Sequence, residues 1–566
     1  MIEIFFQSLL SLLIYYSAGN YFSTQILKTN IDKPKDHAIK IIYGYISIGF
    51  LSIILNFFIP LSKFYNSIIS FIAIFYFIYL FYKSKNKKII LIIFFTISFF
   101  SVLTITLDQV NRPDAGLYHL PYTKILNENK IIFGLTNIHF RFGHTSIMQY
   151  LNAFNYNYLS GVKGILIPQI IVIITLFYYF FEELKTRIKK GRNNYLTIFL
   201  FFSFIFLIIN YNRYSSFGND ALANIFYVFI LYELLKHLKD KNDKINTLFY
   251  LSLLSIFCFF LKPFMIIILF IPLIWLIINK IKISNVIKNK KFYLIIFFLL
   301  SFLIKNIITS GCMIYPVKIT CFDKLEWYDK DTTQREQLSG EAWAKDWINY
   351  ANSKQLTQKQ YVKNFRWLKT WLENHFQVIL KKVLPFIALT SILIFLINLN
   401  SKKESDQQIN YKIINSIKFI TIFTFFSCLF WFLKFPVYRF GSGMIGGFII
   451  ILITLYFTKN KIFISTNSKI FHYLPIFLII IISFKNLNRI YNNYDQKYAE
   501  FPWPKIHSFT SDNEKQRFFE LKKNNKILFY LSDNGLCMYG PAPCSYYQNK
   551  NINLKTINEY KIYYIE

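Results

Sequence analysis

The chain has 566 residues, of which 54% are hydrophobic and 20% aromatic, and its mean hydropathy is positive at +0.34. Soluble domains rarely have this composition, and apolar runs long enough to span a bilayer recur along the sequence. The formal net charge of +34 would suit a nucleic-acid-binding protein. However, the lysines lie mainly in short connections between apolar runs, and there is no basic soluble domain to bind a nucleic acid. We therefore expect a polytopic membrane protein without a nucleic-acid partner.

In chain order, the apolar runs predict an all-α bundle of about 14 membrane-spanning helices. The first run carries Glu3 and no basic segment before it, so we interpret it as a span and not as a cleaved signal. Alternate connections are rich in Lys and Arg, which the positive-inside rule places in the cytoplasm. The predicted spans are 2–20, 40–60, 65–82, 89–107, 163–181, 195–211, 220–236, 246–261, 264–279, 292–309, 380–398, 414–433, 441–457 and 469–484.

This topology places the polar chemistry of the chain on one side of the membrane. Both termini then lie outside, and so do the segments 108–162, 211–220, 311–377 and 434–443 and the tail 485–566. Residues 1–484 form the predicted transmembrane domain, and 485–566 a small extracytoplasmic α/β domain. In the tail, apolar alternation predicts strands at 526–532 and 560–566, and a charged, periodic run predicts a helix at 513–524.

Four of the six cysteines form two close pairs in predicted outer segments, Cys312 with Cys321 and Cys537 with Cys544. Disulfides there require an oxidising compartment such as a bacterial periplasm. Four cysteines allow three connectivities, and the two local loops are favoured. A zinc site is the alternative, although neither pair has the tight C-x-x-C spacing. The localisation expected is the bacterial inner membrane, with the active face periplasmic.

The segment 108–162 carries an unusual group of ionisable residues directly after an apolar run. Two stretches, 122–130 and 145–159, have apolar residues at helical spacing and are predicted to lie along the membrane surface, with Pro121 beginning or kinking the first. The sequence "NRPDAGLYHLP" and the later "HFRFGHTS" stand beside these helices. Asp108 and Asp114 are therefore expected at the boundary between membrane and water.

These residues resemble the first outer loop of the GT-C membrane glycosyltransferases, which include the protein mannosyltransferases and the lipid A aminoarabinose transferases. Arg112, Asp114 and Tyr118 match a pattern of the type R-x-D-E-x-x-Y, but Ala115 stands where those relatives carry a second acid. Asp108 is the candidate for the missing carboxylate. "FLKPFM" and "FPVYRFGSG" are weaker similarities, which involve Lys262 and Arg439. The resemblance runs from about residue 89 to about residue 457.

The resemblance implies transfer of a sugar from a polyprenyl-phosphate carrier to a glycan, lipid or protein acceptor at the outer face, with inversion. Asp114 is the expected general base and Asp108 its partner or alternative. The leaving phosphate needs cations near the membrane surface. The residues expected to bind substrate are Arg112, Tyr118, His119, Arg141, His144, Arg213, Lys262 and Arg439. A divalent metal ion held by the aspartates and histidines is an alternative to direct binding of substrate by the histidines.

The outer segment 321–355 is acidic and rich in tryptophan. Trp327, Trp343 and Trp347 are candidates for contacts with an acceptor sugar, and an interfacial aromatic belt is the alternative explanation. Two other functions remain open: an O-antigen polymerase or ligase, and a flippase or transporter for lipid-linked sugars. A transporter would place ionisable residues within the spans. The predicted spans contain few acids, which favours the enzyme.

Overall fold

The computed structural model describes Met1 to Ile565 except for fourteen short gaps. The residues outside the description are 29–35, 108–113, 191–193, 212–216, 239–242, 352–355, 401–410, 461–468, 495–500, 505, 507–517, 524–525, 534, 547–550 and 566. The predicted site residues Asp108, Arg112 and Arg213 lie in these gaps.

The described chain is mainly helical, as the sequence predicts. In chain order the helices are α1 (Ile2–Tyr21), α2 (Asp36–Phe58), α3 (Lys63–Lys83), α4 (Lys87–Ile105), α5 (Leu120–Glu128), α6 (Ile147–Phe154), α7 (Ile167–Lys189), α8 (Tyr195–Ile209), α9 (Asp220–His237), α10 (Lys244–Leu261), α11 (Phe270–Asn279), α12 (Ile283–Ile287), α13 (Lys290–Ser310), α14 (Lys330–Ala344), α15 (Trp347–Ala351), α16 (Gln358–Val362), α17 (Leu368–Trp371), α18 (Gln377–Asn400), α19 (Tyr411–Lys434), α20 (Tyr438–Lys459) and α21 (Lys469–Asn493).

Eleven helical stretches of the described chain are long and apolar enough to cross a membrane, which confirms a polytopic all-α membrane protein. Three further predicted spans also coincide with helices. Two of these helices are shorter apolar stretches, Tyr195–Ile209 and Pro263–Asn279, and the third is α9. The number of crossings therefore stays a prediction.

The two helices predicted after α4 are present as α5 and α6, but every residue of α6 is buried within the protein, so its predicted position along the membrane surface stays a prediction. Pro121 lies in the first turn of α5, where its missing N–H costs no hydrogen bond, so the predicted start is confirmed. Ser146 caps α6 by accepting from the Met148 amide, while the Gln149 side chain accepts from the Ser146 amide. A π-helical turn, Ala115–His119, precedes α5 directly.

The tail contains strands, and one of them replaces a predicted helix. The strands are β1 (Phe518–Lys523), β2 (Lys526–Ser532), β3 (Cys544–Ser545), β4 (Ile552–Ile557) and β5 (Tyr560–Ile565). The strands predicted at 526–532 and 560–566 are confirmed. The helix predicted at 513–524 is wrong over 518–523, because Phe518–Lys523 pairs antiparallel with β2, and the rest of that prediction lies outside the described residues. Pairing with a neighbouring strand overrides the helical preference of a short charged segment.

The tail contains two sheets, and its last strand packs on an outer loop through its backbone. β1, β2 and β3 form one sheet, and β4 pairs with β5 in the other. The amide of Phe133 donates to Lys561 O at 2.9 Å, and the amide of Tyr563 donates to Phe133 O at 3.0 Å. The last strand is thereby joined to the connection that follows α5.

Both predicted disulfides are present in the structure. Cys312 pairs with Cys321, and Cys537 pairs with Cys544. Cys258 is buried within α10 and Cys428 is half-buried in α19, so both are free thiols inside helices. The local pairing favoured from the spacing is confirmed.

The expectation that the spans contain few acids needs one correction. Glu183 in α7 and Glu233 in α9 are almost fully buried, and both pair with Lys236, at 3.4 Å and 3.2 Å. Arg187 lies 3.7 Å from Glu183, and the Tyr179 hydroxyl donates to Glu233 at 2.5 Å. The charges of two carboxylates and two cations therefore neutralise one another in a network between α7 and α9. Periodicity did not reveal it because the partners lie on different helices.

Replacing Lys236 by Met is expected to lower the free energy of unfolding by about 3–5 kcal/mol, because it leaves two buried carboxylates with too few partners. Lys185→Met is the matched control, since that side chain is 60% exposed and, among the described residues, forms an ion pair with Glu182 alone. The control should cost at most about 1 kcal/mol. Thermal unfolding of both variants in the same detergent measures the difference. Equal losses of stability would contradict a structural role for the network.

Candidate functional site

Asp114 forms ion pairs with two arginines that are distant in sequence. Its Oδ1 accepts from Arg141 Nη1 at 2.9 Å, and its Oδ2 accepts from Arg439 Nη1 at 3.2 Å. Asp114 stands at the N-cap position of the π-helical turn, yet its side chain makes no capping hydrogen bond. The alternative that this aspartate is merely a helix cap does not hold, because both carboxylate oxygens are directed at guanidinium groups.

A second carboxylate, Asp220, joins the same cluster. Its Oδ1 pairs with the Lys262 ammonium, and its Oδ2 lies 3.5 Å from Arg439 Nε. Arg439 therefore bridges the two aspartates. The Lys262 ammonium also lies 3.6 Å from the centre of the Phe440 ring, which is cation–π geometry. Asp220 is absent from the sequence-based set because an acid at the start of a helix normally serves the helix dipole.

The helix ends place these groups together. Asp220 begins α9 and Arg439 lies in the first turn of α20. The two helices approach closely at Gly443, where a Cβ would lie 2.5 Å from the carbonyl oxygen of Asn224. The Asn224 amide donates to the carbonyl of Arg439 at 2.9 Å and its oxygen accepts from the Gly443 amide at 2.8 Å. The close contact at Gly443 and the two hydrogen bonds of Asn224 thus fix the position of Arg439 relative to Asp220 along the helix axes.

Lys262 is positioned by the proline that follows it. It ends α10 in an extended conformation, as the residue before a proline prefers, and Pro263 begins the next helical turn. The chain therefore turns at Lys262, and its side chain leaves the helix axis toward Asp220.

The cluster carries one net positive charge and is open to a ligand. Three cations face two carboxylates, and the side-chain exposure ranges from 18% for Lys262 to 35% for Arg439. Burial opposes ionisation of Asp114, but the positive groups around it, led by Arg439, hold the pKa of its carboxyl below its ordinary value. Asp114 is therefore ionised at neutral pH. A singly charged anion would balance the site.

The neighbouring His119 and Tyr118 are neutral. Burial lowers the pKa of His119 to about 4, and its Nδ1 lies 3.1 Å from the Gln149 amide nitrogen. Burial raises the pKa of Tyr118 above its ordinary value, and the Tyr118 ring lies 5.6 Å from the Arg141 guanidinium carbon. These two side chains form an aromatic and polar wall beside Asp114.

His144 is exposed on the same side, and its ring packs edge-on against Tyr315 at 5.4 Å. Tyr315 belongs to the Cys312–Cys321 loop, so that disulfide loop contacts the edge of the site.

His139, left out of the sequence-based set, is fully buried and its Nδ1 accepts from the Arg141 amide at 3.1 Å. His139 therefore helps to position Arg141.

The three tryptophans of the predicted acceptor loop lie in different places. The ring of Trp343 lies 5.1 Å from the Arg439 guanidinium carbon, so this tryptophan reaches the cluster. Trp327 donates to Ile307 O at 2.9 Å and packs against Phe133. Trp347 packs against Tyr361 at 5.2 Å. Only Trp343 of the three has a contact with a site residue among the described interactions.

The tail touches the turn that carries Asp114. Met538, inside the Cys537–Cys544 loop, donates its amide to Gly116 O at 2.8 Å. The Met538 sulfur lies 2.5 Å from the position that a Cβ on Gly116 would take. The neighbouring Tyr539 hydroxyl donates to Asn127 Oδ1 at 3.0 Å. The disulfide loop is therefore packed onto the π-helical turn and onto α5.

Among the described residues there is no group of three or more His, Cys, Asp or Glu side chains suited to a metal ion. Asp108 lies outside this part of the chain, so the divalent ion stays a prediction.

Comparison with known proteins identifies the family without assigning an activity. A family described as "Domain of unknown function (DUF8201)" matches residues 1–446, and the chain therefore belongs to it. The match contains every site residue named above up to Arg439 and leaves the tail outside. No curated protein and no solved structure matched the chain.

Acid is expected to destabilise the protein through His139. Burial lowers the pKa of this residue to about 3, whereas an unfolded histidine titrates near 6.5. Below pH 6.5 His139 binds a proton in the unfolded state but not in the native state. The free energy of unfolding therefore falls as the pH decreases toward 3. At pH 5 this group should lower the unfolding free energy by about 2 kcal/mol relative to pH 7.5. In His139→Asn, which keeps an acceptor for the Arg141 amide, the drop in melting temperature between these pH values should be smaller; an unchanged drop would contradict the assignment.

Opening the Cys537–Cys544 disulfide by a double change to serine is expected to loosen the turn that carries Asp114. The loop loses its constraint and with it the Met538–Gly116 hydrogen bond. Hydrogen exchange of the Gly116–His119 amides should then accelerate by about tenfold or more. Cys312→Ser with Cys321→Ser is the matched control, because that loop contacts Gly143 and His144 and not this turn. Equal exchange in both double variants would refute the role of the tail.

Proposed function

We propose that this chain is an integral-membrane glycosyltransferase of the GT-C type, which transfers a sugar from a polyprenyl-phosphate carrier to an acceptor hydroxyl. The observation that carries the proposal is the position of Asp114, an ionised carboxylate held by Arg141 and Arg439 where several membrane-length helices end. The cluster combines what such a transfer needs, namely a base for the acceptor and cations for a lipid phosphate.

The charge of the cluster fits the proposed donor. A phosphodiester that links a sugar to a polyprenol carries one negative charge, which would neutralise the net charge of the five ionic groups. Arg141, Lys262 and Arg439 would donate hydrogen bonds to its oxygens, and the negative charge that develops on the leaving phosphate would strengthen them. The lipid chain of the donor would remain in the membrane beside the helices.

Binding of the donor would also release the base. The phosphate oxygens compete with Asp114 for the two arginines, so that a carboxylate oxygen becomes available to the acceptor hydroxyl. The hydroxyl oxygen attacks the anomeric carbon, the bond from that carbon to the phosphate oxygen breaks, and the proton passes to Asp114. Polyprenyl phosphate leaves with the bonding electrons. A single displacement of this kind inverts the anomeric centre, and it needs one base.

The distribution of charge supports an outer location for the reaction. The Asp220 end of α9 carries the cluster, and the other end leads into a basic connection at 236–244. Positive connections mark the cytoplasmic side, so the cluster would face the periplasm of a bacterial inner membrane. The two disulfides fit the same compartment.

One observation favours transport of lipid-linked sugars as a second candidate function. The network of Glu183, Glu233, Lys236 and Arg187 is buried within helices, where ionisable residues often mark a pathway. Its charges are paired with one another, whereas the Asp114 cluster has a net charge and access to solvent. An O-antigen polymerase or ligase would also use arginines and a histidine at the outer face, so the assay below includes its product.

The proposal predicts loss of turnover in Asp114→Asn. Asparagine has nearly the same shape but cannot accept the proton, so release of sugar from polyprenyl-phosphate donors should fall by roughly 10²-fold or more. The protein is purified with native lipids and assayed against a panel of such donors, with detection of both transferred sugar and glycan polymer. Asp323→Asn, an exposed aspartate of the outer loop, is the matched control and should retain wild-type turnover.

Three results would separate the alternatives. Full turnover in Asp114→Asn would remove Asp114 as the base while leaving the reaction class in place. Polymer formed from glycan-carrying lipids would favour the polymerase. Movement of lipid-linked sugar across vesicles without any cleavage would establish transport and refute the enzyme.

A further inference from the structure

The polar helix α14 contacts the ionic cluster through Trp343, near its C-terminal end. Trp343 on this helix packs over the Arg439 guanidinium, and Glu336 is close enough to Arg141 for the guanidinium to influence its ionisation. Arg141 and Arg439 both hold Asp114. The face of α14 that carries Trp343 therefore lies beside Arg439, one of the two arginines that hold Asp114.

Gly340 stands in the middle of this face. Positions 336, 340 and 343 follow the helical spacing of four and three residues, so their Cα–Cβ directions fall on the same side of α14. A Cβ on Gly340 would meet no described atom within 4 Å, so the space next to the helix is open at this point. Glycine weakens the interior of a helix relative to alanine, and no close packing among the described residues requires it here.

The groups that border this space suit a carbohydrate. Trp343 is 38% exposed and offers an aromatic surface to the C–H groups of a sugar ring. Glu336 is only 12% exposed and has long contacts to its own helix, 3.5 Å from Ser339 Oγ and 3.6 Å from Arg335 Nε. Its carboxylate has unused capacity to accept hydrogen bonds from sugar hydroxyls. Burial raises the pKa of Glu336, although Arg335 and Arg141 oppose the shift.

We infer that the gap at Gly340, between Glu336 and Trp343, is the acceptor subsite and that it holds a sugar ring of the acceptor. The inference rests on the proposed function and selects a glycan from the acceptor classes named above. The ring stacks on Trp343, one of its hydroxyls donates to Glu336, and the hydroxyl that reacts points across the gap to Asp114. The missing side chain of residue 340 provides the room for the ring.

The test fills the gap and measures binding directly. The full chain, in lipid nanodiscs free of sugar-based detergent, is screened on an array of defined mono- and oligosaccharides, and the strongest binder is titrated. Gly340→Leu should weaken this binding by about tenfold or more, because the side chain occupies the space of the ring. Glu336→Gln should weaken it by about tenfold through loss of a charged acceptor.

Gln334→Leu is the control for an added leucine, since it places the same apolar side chain on the exposed opposite side of α14. It should bind within about twofold of wild type, which excludes a general effect of leucine on the helix. Melting temperatures confirm that all variants are folded. Wild-type affinity in folded Gly340→Leu would overturn the inference, and so would a wild-type protein that binds no saccharide on the array.

Cleavage of polyprenyl-phosphate sugar by wild type, measured on the same preparation, separates this inference from the proposed function. Cleavage without saccharide binding would leave the glycosyltransferase in place and refute the glycan acceptor. Saccharide binding that depends on Gly340, without cleavage of any donor, would refute the glycosyltransferase and with it the acceptor subsite. Both activities together, with the Gly340 dependence, support the inference.

Discussion

The Arg439 guanidinium is the interaction on which the rest of the site depends. It bridges Asp114 and Asp220, which come from segments more than one hundred residues apart, and it is itself more than two hundred residues from either. Partly buried charges are tolerated only when partners compensate them, and Arg439 is a partner that both aspartates share, in addition to Arg141 for Asp114 and Lys262 for Asp220. The three segments are thus held at one point above the helices.

Three other parts of the structure hold the ionic cluster in place. Asn224 and Gly443 set the spacing of α9 and α20, the tail holds the turn before α5 through Met538, and α14 covers the cluster with Trp343. The helices provide a rigid base, whereas the cover is an extramembrane helix outside the bundle. Under the proposed function, a site of this construction would admit the phosphate of the donor from the membrane side and the acceptor next to α14.

The sequence predicted those features that depend on local pattern. The lengths of the apolar runs predicted the helices, and Pro121 predicted the start of α5. The close spacing of the cysteines predicted both disulfides. The same reasoning failed where a neighbouring segment determines the secondary structure. Residues 518–523 have a helical pattern but form a strand because they pair with β2. It also missed Asp220 as a partner of Lys262, since no local signal shows which helix ends meet. Local sequence pattern predicts helices and strands, whereas the folded structure is needed to see which of them are neighbours.

The central claim is that the arginines holding Asp114 are the phosphate site. A structure of the protein in nanodiscs with a polyprenyl-phosphate sugar tests it most directly. The account predicts the phosphate within hydrogen-bond distance of Arg439, together with Arg141 or Lys262, and a longer separation between Asp114 and the arginine that the phosphate engages than the 2.9 Å and 3.2 Å seen here. A donor phosphate bound elsewhere, with both Asp114 ion pairs intact, would contradict it.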